Sequence, residues 1–536
     1  MNTSPESQVA PVEPVLELAD IQGAAIPGFL KPFQTLIGIN CDDAVYPIED
    51  FRRFIREMSA KLSTGAETLA DRREHRALKF ADKADLKPPA VLTGIAFSIG
   101  GLLKLTPGAA SIPSQAFQLG LAARSTMLGD PANPSDEGNP AKWVVGGMRG
   151  ELDALILVAG DSTDLVEQGV KELMKLIQSA RLRISYLEAG AVRADKKGYE
   201  HFGFNDGVSQ PGIRGRASSN PTDFITERYI QPDQIPDTWL NGYPGQPLLW
   251  PGEFLIGYPG TSPDPLVPGH ITPAVPEWTR NASFLVFRRL RQDVSLFWRT
   301  MREKADDLAK TKKLAGMTDE RLASLLVGRW PSGAPVNRTP DKDIADLGES
   351  PFANNLFRFD SDTLPMPHMG NPDSFPMAKA DPAGITCPWA AHIRKVNTRD
   401  SASDTGSQDS TYKRRLLRVG IPFGKPIEPY SDPKDDPEQG NRGLLFLSVQ
   451  SSIEDQFEFL CARWANDPAR PKMPGGHDFI IGQNGAPDED RKRRCTLFGS
   501  NLETSELKTD KQWVIPTGGG YFLLPSISAV RDVLGT

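Results

Sequence analysis

Asp206 lies between two glycines in the run Gly203-Phe204-Asn205-Asp206-Gly207, and Phe202, Phe204, Val208 and Ile213 surround it in sequence. Glycine lets the backbone bend where a side chain would clash, so this pattern presents one carboxylate from a fixed turn. A bare Asp-Gly pair is an ordinary surface turn. The apolar flanks set this one apart, because a carboxylate held in apolar surroundings has a displaced pKa and is a candidate for proton transfer. Two later stretches supply partners of other chemistry. His392 follows an apolar run in Thr386-Cys387-Pro388-Trp389-Ala390-Ala391-His392-Ile393-Arg394-Lys395, and Arg418 sits in a β-like segment, Arg415-Leu416-Leu417-Arg418-Val419, that ends at a Gly-Ile-Pro break. Imidazole is the commonest side-chain metal ligand and proton carrier. Guanidinium keeps its charge at any working pH. The chain has six histidines, at 75, 201, 270, 368, 392 and 477. Residue type alone does not choose between His392 and His201, which stands five residues before Asp206.

The elements that would carry these residues can be read from periodicity. Residues 48–62 place Phe51, Phe54, Ile55, Met58 and Leu62 at helical spacing, and 161–180 read as a helix opened by Asp161 and Ser162 as caps. Strands are expected at 35–40, 90–99, 152–159 and 184–192. The rhythm repeats in the second half. Strands are expected at 254–258, 283–289, 412–419, 443–450 and 520–524, with helices at 294–308, 319–327 and 452–464. The pattern implies an α+β fold with a mainly antiparallel sheet. Residues 1–18 read as a loose tail, and 232–276 and 341–381 as long Pro- and loop-rich connections.

Taken together, the three stretches resemble the dye-decolourising peroxidase family of haem enzymes. The family's G-x-x-D-G signature is matched at residues 203–207, its proximal histidine at His392 and its distal arginine at Arg418, in the family's order. The resemblance extends from about Asp20 to the C-terminus. It implies two ferredoxin-like halves, with antiparallel sheets flanked by helices: residues 19–225, which carry the G-x-x-D-G motif, and 226–536, which hold most of the haem. It further implies haem b bound through His392, Asp206 as proton shuttle and Arg418 as the fixed charge. Peroxide is then reduced through a ferryl intermediate, and dyes, phenolics or other one-electron donors restore the enzyme. Asp478, in Gly476-His477-Asp478-Phe479, is the candidate acceptor for the second ring nitrogen of His392. Arg394 is a candidate partner for a haem propionate. Trp464 matches a tryptophan position associated with surface electron transfer, whereas Phe423 stands where some relatives carry an oxidisable tyrosine. No arginine accompanies His201 at the close helical spacing of a plant-type distal pair, so His201 is read as structural. An acid as weakly basic as Asp, with an ordinary pKa of about 3.9, implies an acidic optimum. The same pocket would also serve a haem-handling protein, either a carrier or one that releases iron from haem.

Whole-chain properties set the boundaries of these readings. At 536 residues the chain exceeds the usual size of a single core. A net charge of −7 lacks the basic footprint of a general nucleic-acid binder. The mixed run from Asp488 to Arg494 reads as a solvated loop. Four cysteines, Cys41, Cys387, Cys461 and Cys495, contain no C-x-x-C and read as free thiols. No apolar run approaches a membrane span, and the polar N-terminus lacks a secretory pattern, so a cytoplasmic protein is expected. A homo-oligomer is compatible with all of this.

Overall fold

The computed structural model describes residues 11–81, 88–229, 239–310, 314–365, 374–473, 475–485, 492–499 and 503–536. Nine strands make one sheet: β1 (Phe33–Asn40), β2 (Val91–Phe97), β3 (Ala154–Gly160), β4 (Arg183–Ala191), β5 (Ser283–Gln292), β6 (Leu417–Arg418), β7 (Ile421–Phe423), β8 (Gly443–Gln450) and β9 (Val514–Leu524). Their order is β6-β8-β5-β9-β2-β3-β1-β4, and β7 also pairs with β8. Every pairing in this sheet is antiparallel. The first four strands run second-third-first-fourth across the sheet, and the last five repeat that order if β6 and β7 count as one broken strand. This is the α+β arrangement with antiparallel sheet and flanking helices. The two sets meet at β9 and β2, where Leu523 registers with Phe97. At the far end of the order β7 approaches β4, since a Cβ on Gly190 would fall 2.5 Å from Ile421 Cγ2.

Local sequence explains the main elements. β3, ALILVAG, is buried at every position, as a central strand covered on both faces must be. Helix α1 (Ile48–Ser59) turns Phe51, Phe54, Ile55 and Met58 onto the sheet, all 1% exposed or less. Each such side chain contributes about 1.5–3 kcal/mol by leaving water. Helix α2 (Thr163–Ser179) does the same with Val166, Val170, Leu173 and Ile177, and Ser162 caps it by accepting from Leu165 N. In the second set, helix α3 (Val294–Ala309) is capped by Asp293, and helices α4 (His392–Val396) and α5 (Ile453–Ala465) frame the site. Among the described residues no helix is long and apolar enough to cross a membrane. All four cysteines are free.

Several expectations are corrected. Residues 254–258 are not a strand, because the N–H groups of Phe254 and Leu255 return to Pro251 O and close a turn. The expected strand at 412–419 shrinks to Leu417–Arg418, since Arg414 N and Arg415 N bond back to Thr411 O and Tyr412 O. Of the expected loose tail, residues 1–10 lie outside the described residues. Residues 11–18 are pinned: buried Glu13 accepts from Arg214 Nη1, Gly215 N and Arg228 Nη2. The run at 488–494 is not wholly a solvated loop. Asp488, Glu489, Asp490 and Arg491 lie outside the described residues, but Arg493 is buried at the start of strand Arg493–Phe498, donating to Phe479 O and Gly482 O.

Candidate active site

The Asp206 turn is built by backbone conformation. Gly203 and Gly207 have φ of +95° and +74°. A Cβ would meet nothing within 4 Å at either position, so torsion and not crowding demands glycine. Asn205 fastens the turn, its N–H bonding Pro331 O at 3.0 Å and its Nδ2 bonding Ser332 O at 3.2 Å. Asp206 N donates to Gly198 O at 2.8 Å. The Asp206 carboxylate then accepts at Oδ1 from Gly207 N, 2.6 Å, and from Arg418 Nη1, 3.1 Å. Arg418 Nη2 donates to Ser209 O at 3.1 Å. Gln210 binds the Arg418 backbone at both ends, donating to its O at 2.7 Å and accepting from its N at 3.3 Å. The side chain thus mimics a strand neighbour and holds the turn against β6.

His392 opens the short helix α4. Its Nδ1 lies 2.8 Å from Asp478 Oδ2. Asp478 is fully buried, and its Oδ1 accepts from Ile480 N and Ile481 N at 2.7 and 3.0 Å. Burial pushes the Asp478 carboxyl up, but the His392 ring and the two N–H groups outweigh it and hold the carboxyl below its ordinary range. An ionised carboxylate only accepts, so Nδ1 is the protonated nitrogen and Nε2 keeps the lone pair.

Asp206, Arg418 and His392 line one cavity. Its remaining walls are largely apolar, with Leu290, Phe446, Phe457, Leu460, Ile480 and Val514 among them. Three further arginines, Arg329, Arg399 and Arg415, line it beside Arg288. Among the described residues none of the three pairs with a carboxylate. Arg329 donates to Gly333 O, Asn354 O and Asn355 Oδ1, and Arg399 to Asn355 O and Phe357 O. Burial pushes the guanidinium of Arg329 down to about 9 and that of Arg415 to about 10, and it lowers Arg399 as well. By contrast the fully buried Arg288 is neutralised by both oxygens of Asp130, at 2.8 to 3.0 Å.

Two expected residues lie elsewhere. Arg394 does not line the cavity. It is fully buried between the rings of Phe359 and Trp389, 4.3 and 4.0 Å from their centroids, and binds Asp381 Oδ2 at 3.2 Å and Cys387 O at 2.7 Å. Residues two apart on a helix project about 200° apart, so Arg394 turns away from the cavity that His392, Ile393 and Val396 face. Trp464 is fully buried, its Nε1 donating to Asp404 Oδ1 at 2.9 Å, and so is not a surface residue. His201 is buried outside the cavity lining, with Nε2 2.8 Å from Phe423 O, and burial pushes its pKa down to about 4. Sequence reasoning did not single out Gln210, Glu200 or the three cavity arginines. The Gln210-Pro211 pair, three residues beyond Gly207, is the available signal for the first.

Among the described residues no three His, Cys, Asp or Glu side chains converge to hold a bare metal ion. A lone imidazole of fixed tautomer suits a metal already held by a macrocycle. The apolar walls suit the macrocycle, and unpaired buried cations suit its carboxylates. The cavity thus brings an imidazole of fixed orientation and an acid–guanidinium pair together within apolar walls that fit a macrocyclic metal cofactor. Residues 20–194 match the family model described as DyP dimeric alpha+beta barrel domain. A dye-decolourising peroxidase of Exidia glandulosa is 30% identical over 456 residues, covering 83% of this chain and 76% of its own length. The multifunctional dye peroxidase DyP2 of an Amycolatopsis species is 27% identical, covering 96% of each chain. The solved structure of an ancestral D-type dye-decolourising peroxidase aligns with a TM-score of 0.75 at 32% identity, over 97% of this chain and 100% of that one. The chain belongs to the dye-decolourising peroxidase family.

Proposed function

We propose that this chain is a haem-dependent peroxidase that reduces hydrogen peroxide and draws electrons from dyes, phenolics or other one-electron donors, with haem b as its cofactor. The observation that carries the reading is the sharing of one apolar cavity by the Asp206–Arg418 pair and His392. His392, oriented by Asp478, would hold the haem iron through Nε2. Arg329, Arg399 and Arg415 replace Arg394 as partners for the propionates. Haem, when bound, supplies the iron on which peroxide is cleaved and stores the oxidising equivalents.

The residues divide the proton work. Asp206 takes the proton from one peroxide oxygen and returns it to the other, which leaves as water. Its Oδ1 is already engaged by Gly207 N and Arg418, so the proton is carried on Oδ2. Arg418 holds its charge where negative charge grows as the O–O bond stretches. The two glycines and Gln210 keep the acid and the cation in register, so neither has to be reoriented during the reaction.

The test is the absorption spectrum of the haem-loaded protein before and after one equivalent of peroxide at acidic pH. A rapid spectral change that reverses on adding a dye is expected, slowed about 10²–10⁴-fold in Asp206→Asn. A haem spectrum that ignores peroxide would favour haem handling instead.

A further inference from the structure

Three carboxylates line the cavity among the described residues: Asp206, Asp130 and Glu200. Asp130 is neutralised by Arg288. Glu200 has no arginine or lysine on its carboxyl among the described residues. It sits inside the turn that delivers Asp206: its Oε2 accepts from Phe202 N at 2.8 Å and its Oε1 from Phe204 N at 2.9 Å. The same turn is closed by its backbone, Glu200 N bonding Phe204 O and Gly203 N bonding Glu200 O, both at 3.0 Å.

The remaining partner is Gln292, at the end of β5, whose Nε2 donates to Glu200 Oε2. Gln292 also lines the cavity, and its Oε1 is buried without a hydrogen-bond partner. An amide exchanges donor for acceptor by a half-turn. With Glu200 ionised, Gln292 donates. With Glu200 protonated, the half-turn lets Oε2–H donate to Gln292 Oε1, and Nε2 takes the buried position where Oε1 had no partner. Both N–H donors from the turn stay satisfied in either state.

We propose that Glu200 is a second proton-holding carboxyl of this cavity, switching between acid and carboxylate against the reversible amide of Gln292, and that its ionisation sets the alkaline limb of the reaction with peroxide. The limb, though not the switch, rests on the roles given above to Asp206 and Arg418. Glu200 acts through those two and is a positioning residue. The proton is exchanged with water in the cavity, and no bond other than O–H changes.

The surrounding charges agree with this. Burial pushes the Glu200 carboxyl up to about 7, further than its backbone and Gln292 donors pull it down, and Asp206 adds to the rise. Arg193 Nη1 binds the Glu200 carbonyl at 2.8 Å and not the carboxyl. Arg442 is committed to Asp436, Arg291 to Glu137, and Asp293 to the cap of α3. Neighbouring His201 is held neutral above about pH 4. Below neutrality, then, Arg418 is opposed by Asp206 alone. Above it, the charge of Glu200, which couples to Asp206, adds to the negative charge that Arg418 must balance as the O–O bond stretches.

The experiment is the stopped-flow rate of the haem-loaded enzyme with peroxide against pH, for wild type and Glu200→Gln. Wild type should lose rate with a midpoint near 7, and Glu200→Gln should lose that limb while keeping reaction at acidic pH. An unchanged limb, or an equal fall at every pH, overturns the proposal. A second measurement takes the pH-difference infrared spectrum of haem-loaded wild type made with 13C-glutamate and subtracts that of Glu200→Gln, because burial pushes the Glu151 carboxyl up to about 7 as well. A labelled carboxylic C=O band that vanishes with a midpoint near 7 is expected, and its absence overturns the proposal. The band does not depend on turnover, so an active Asp206→Asn enzyme would overturn the Asp206 role and leave the Glu200 switch standing.

Discussion

Replacing Asp478 by Asn removes one charge and almost no volume, and it forces a choice on the hydrogen bonds around it. Asp478 accepts from three donors, His392 Nδ1 and the N–H groups of Ile480 and Ile481. Asn has a single acceptor oxygen. If that oxygen stays on the two backbone groups, the amide N–H₂ faces His392, whose Nδ1 must then accept. The ring proton moves to Nε2, and the lone pair meant for iron is lost. If the amide turns over, N–H₂ meets the two backbone N–H groups at a fully buried position, and burying unsatisfied donors costs about 1–3 kcal/mol. The lost charge-assisted bond, 2.8 Å long and buried on the Asp478 side, is itself about 1.5–3 kcal/mol. Either route weakens haem binding by about 10–100-fold, the usual effect of removing such a support. Haem titration into apoprotein against a competing haem binder measures this directly. A denaturation curve of the apoprotein separates it from global loss of stability. An Asp478→Asn protein with unchanged haem affinity and unchanged iron spectrum would refute both the tautomer argument and His392 as ligand.

Two further outcomes are expected. Arg418→Ala should slow the reaction with peroxide by about 10²–10³-fold, and Arg418→Lys should recover part of it, because Lys keeps the charge but cannot bridge Asp206 Oδ1 and Ser209 O in one plane; stopped-flow mixing reads both. The Asp436 carboxyl is held down at about 2, mainly by its hydrogen bonds to Arg442. Its folded value lies below the unfolded one, so the stability it contributes is present above about pH 4 and lost as pH falls through about 2. Asp436→Asn should therefore cost about 2 kcal/mol in denaturant unfolding at neutral pH and almost nothing near pH 2.

What the sequence made legible follows from range. Asp206 and its glycines form a local pattern, and the positive φ that demands glycine is a property of three bonds. Helices α1 and α2 announce themselves by apolar spacing, and the structure places their buried faces where that spacing implies. Arg394 was misplaced because proximity in sequence to His392 is not proximity in space on a helix. The cavity arginines 329, 399 and 415 were invisible because nothing local marks an arginine as lining a cavity with no carboxylate on it among the described residues. Only the packing of distant segments leaves it without a counter-charge. Gln210 was overlooked for a related reason, since its partner is the main chain of a strand 208 residues away.

That distance bears on how the site comes into being. Asp206 and Arg418 are 212 residues apart, Arg418 on β6 of the second set of strands and Asp206 in the turn that follows β4 of the first. The strands of each set pair across long stretches of sequence, residues 33–40 with 154–160 and 283–292 with 514–524, and the acid meets its cation only when β6 and the Asp206 turn dock. Competence is thus a coincidence signal. A chain still emerging from the ribosome, or clipped between the two sets, carries one reagent of the pair without the other and cannot begin oxidising its surroundings before it is whole.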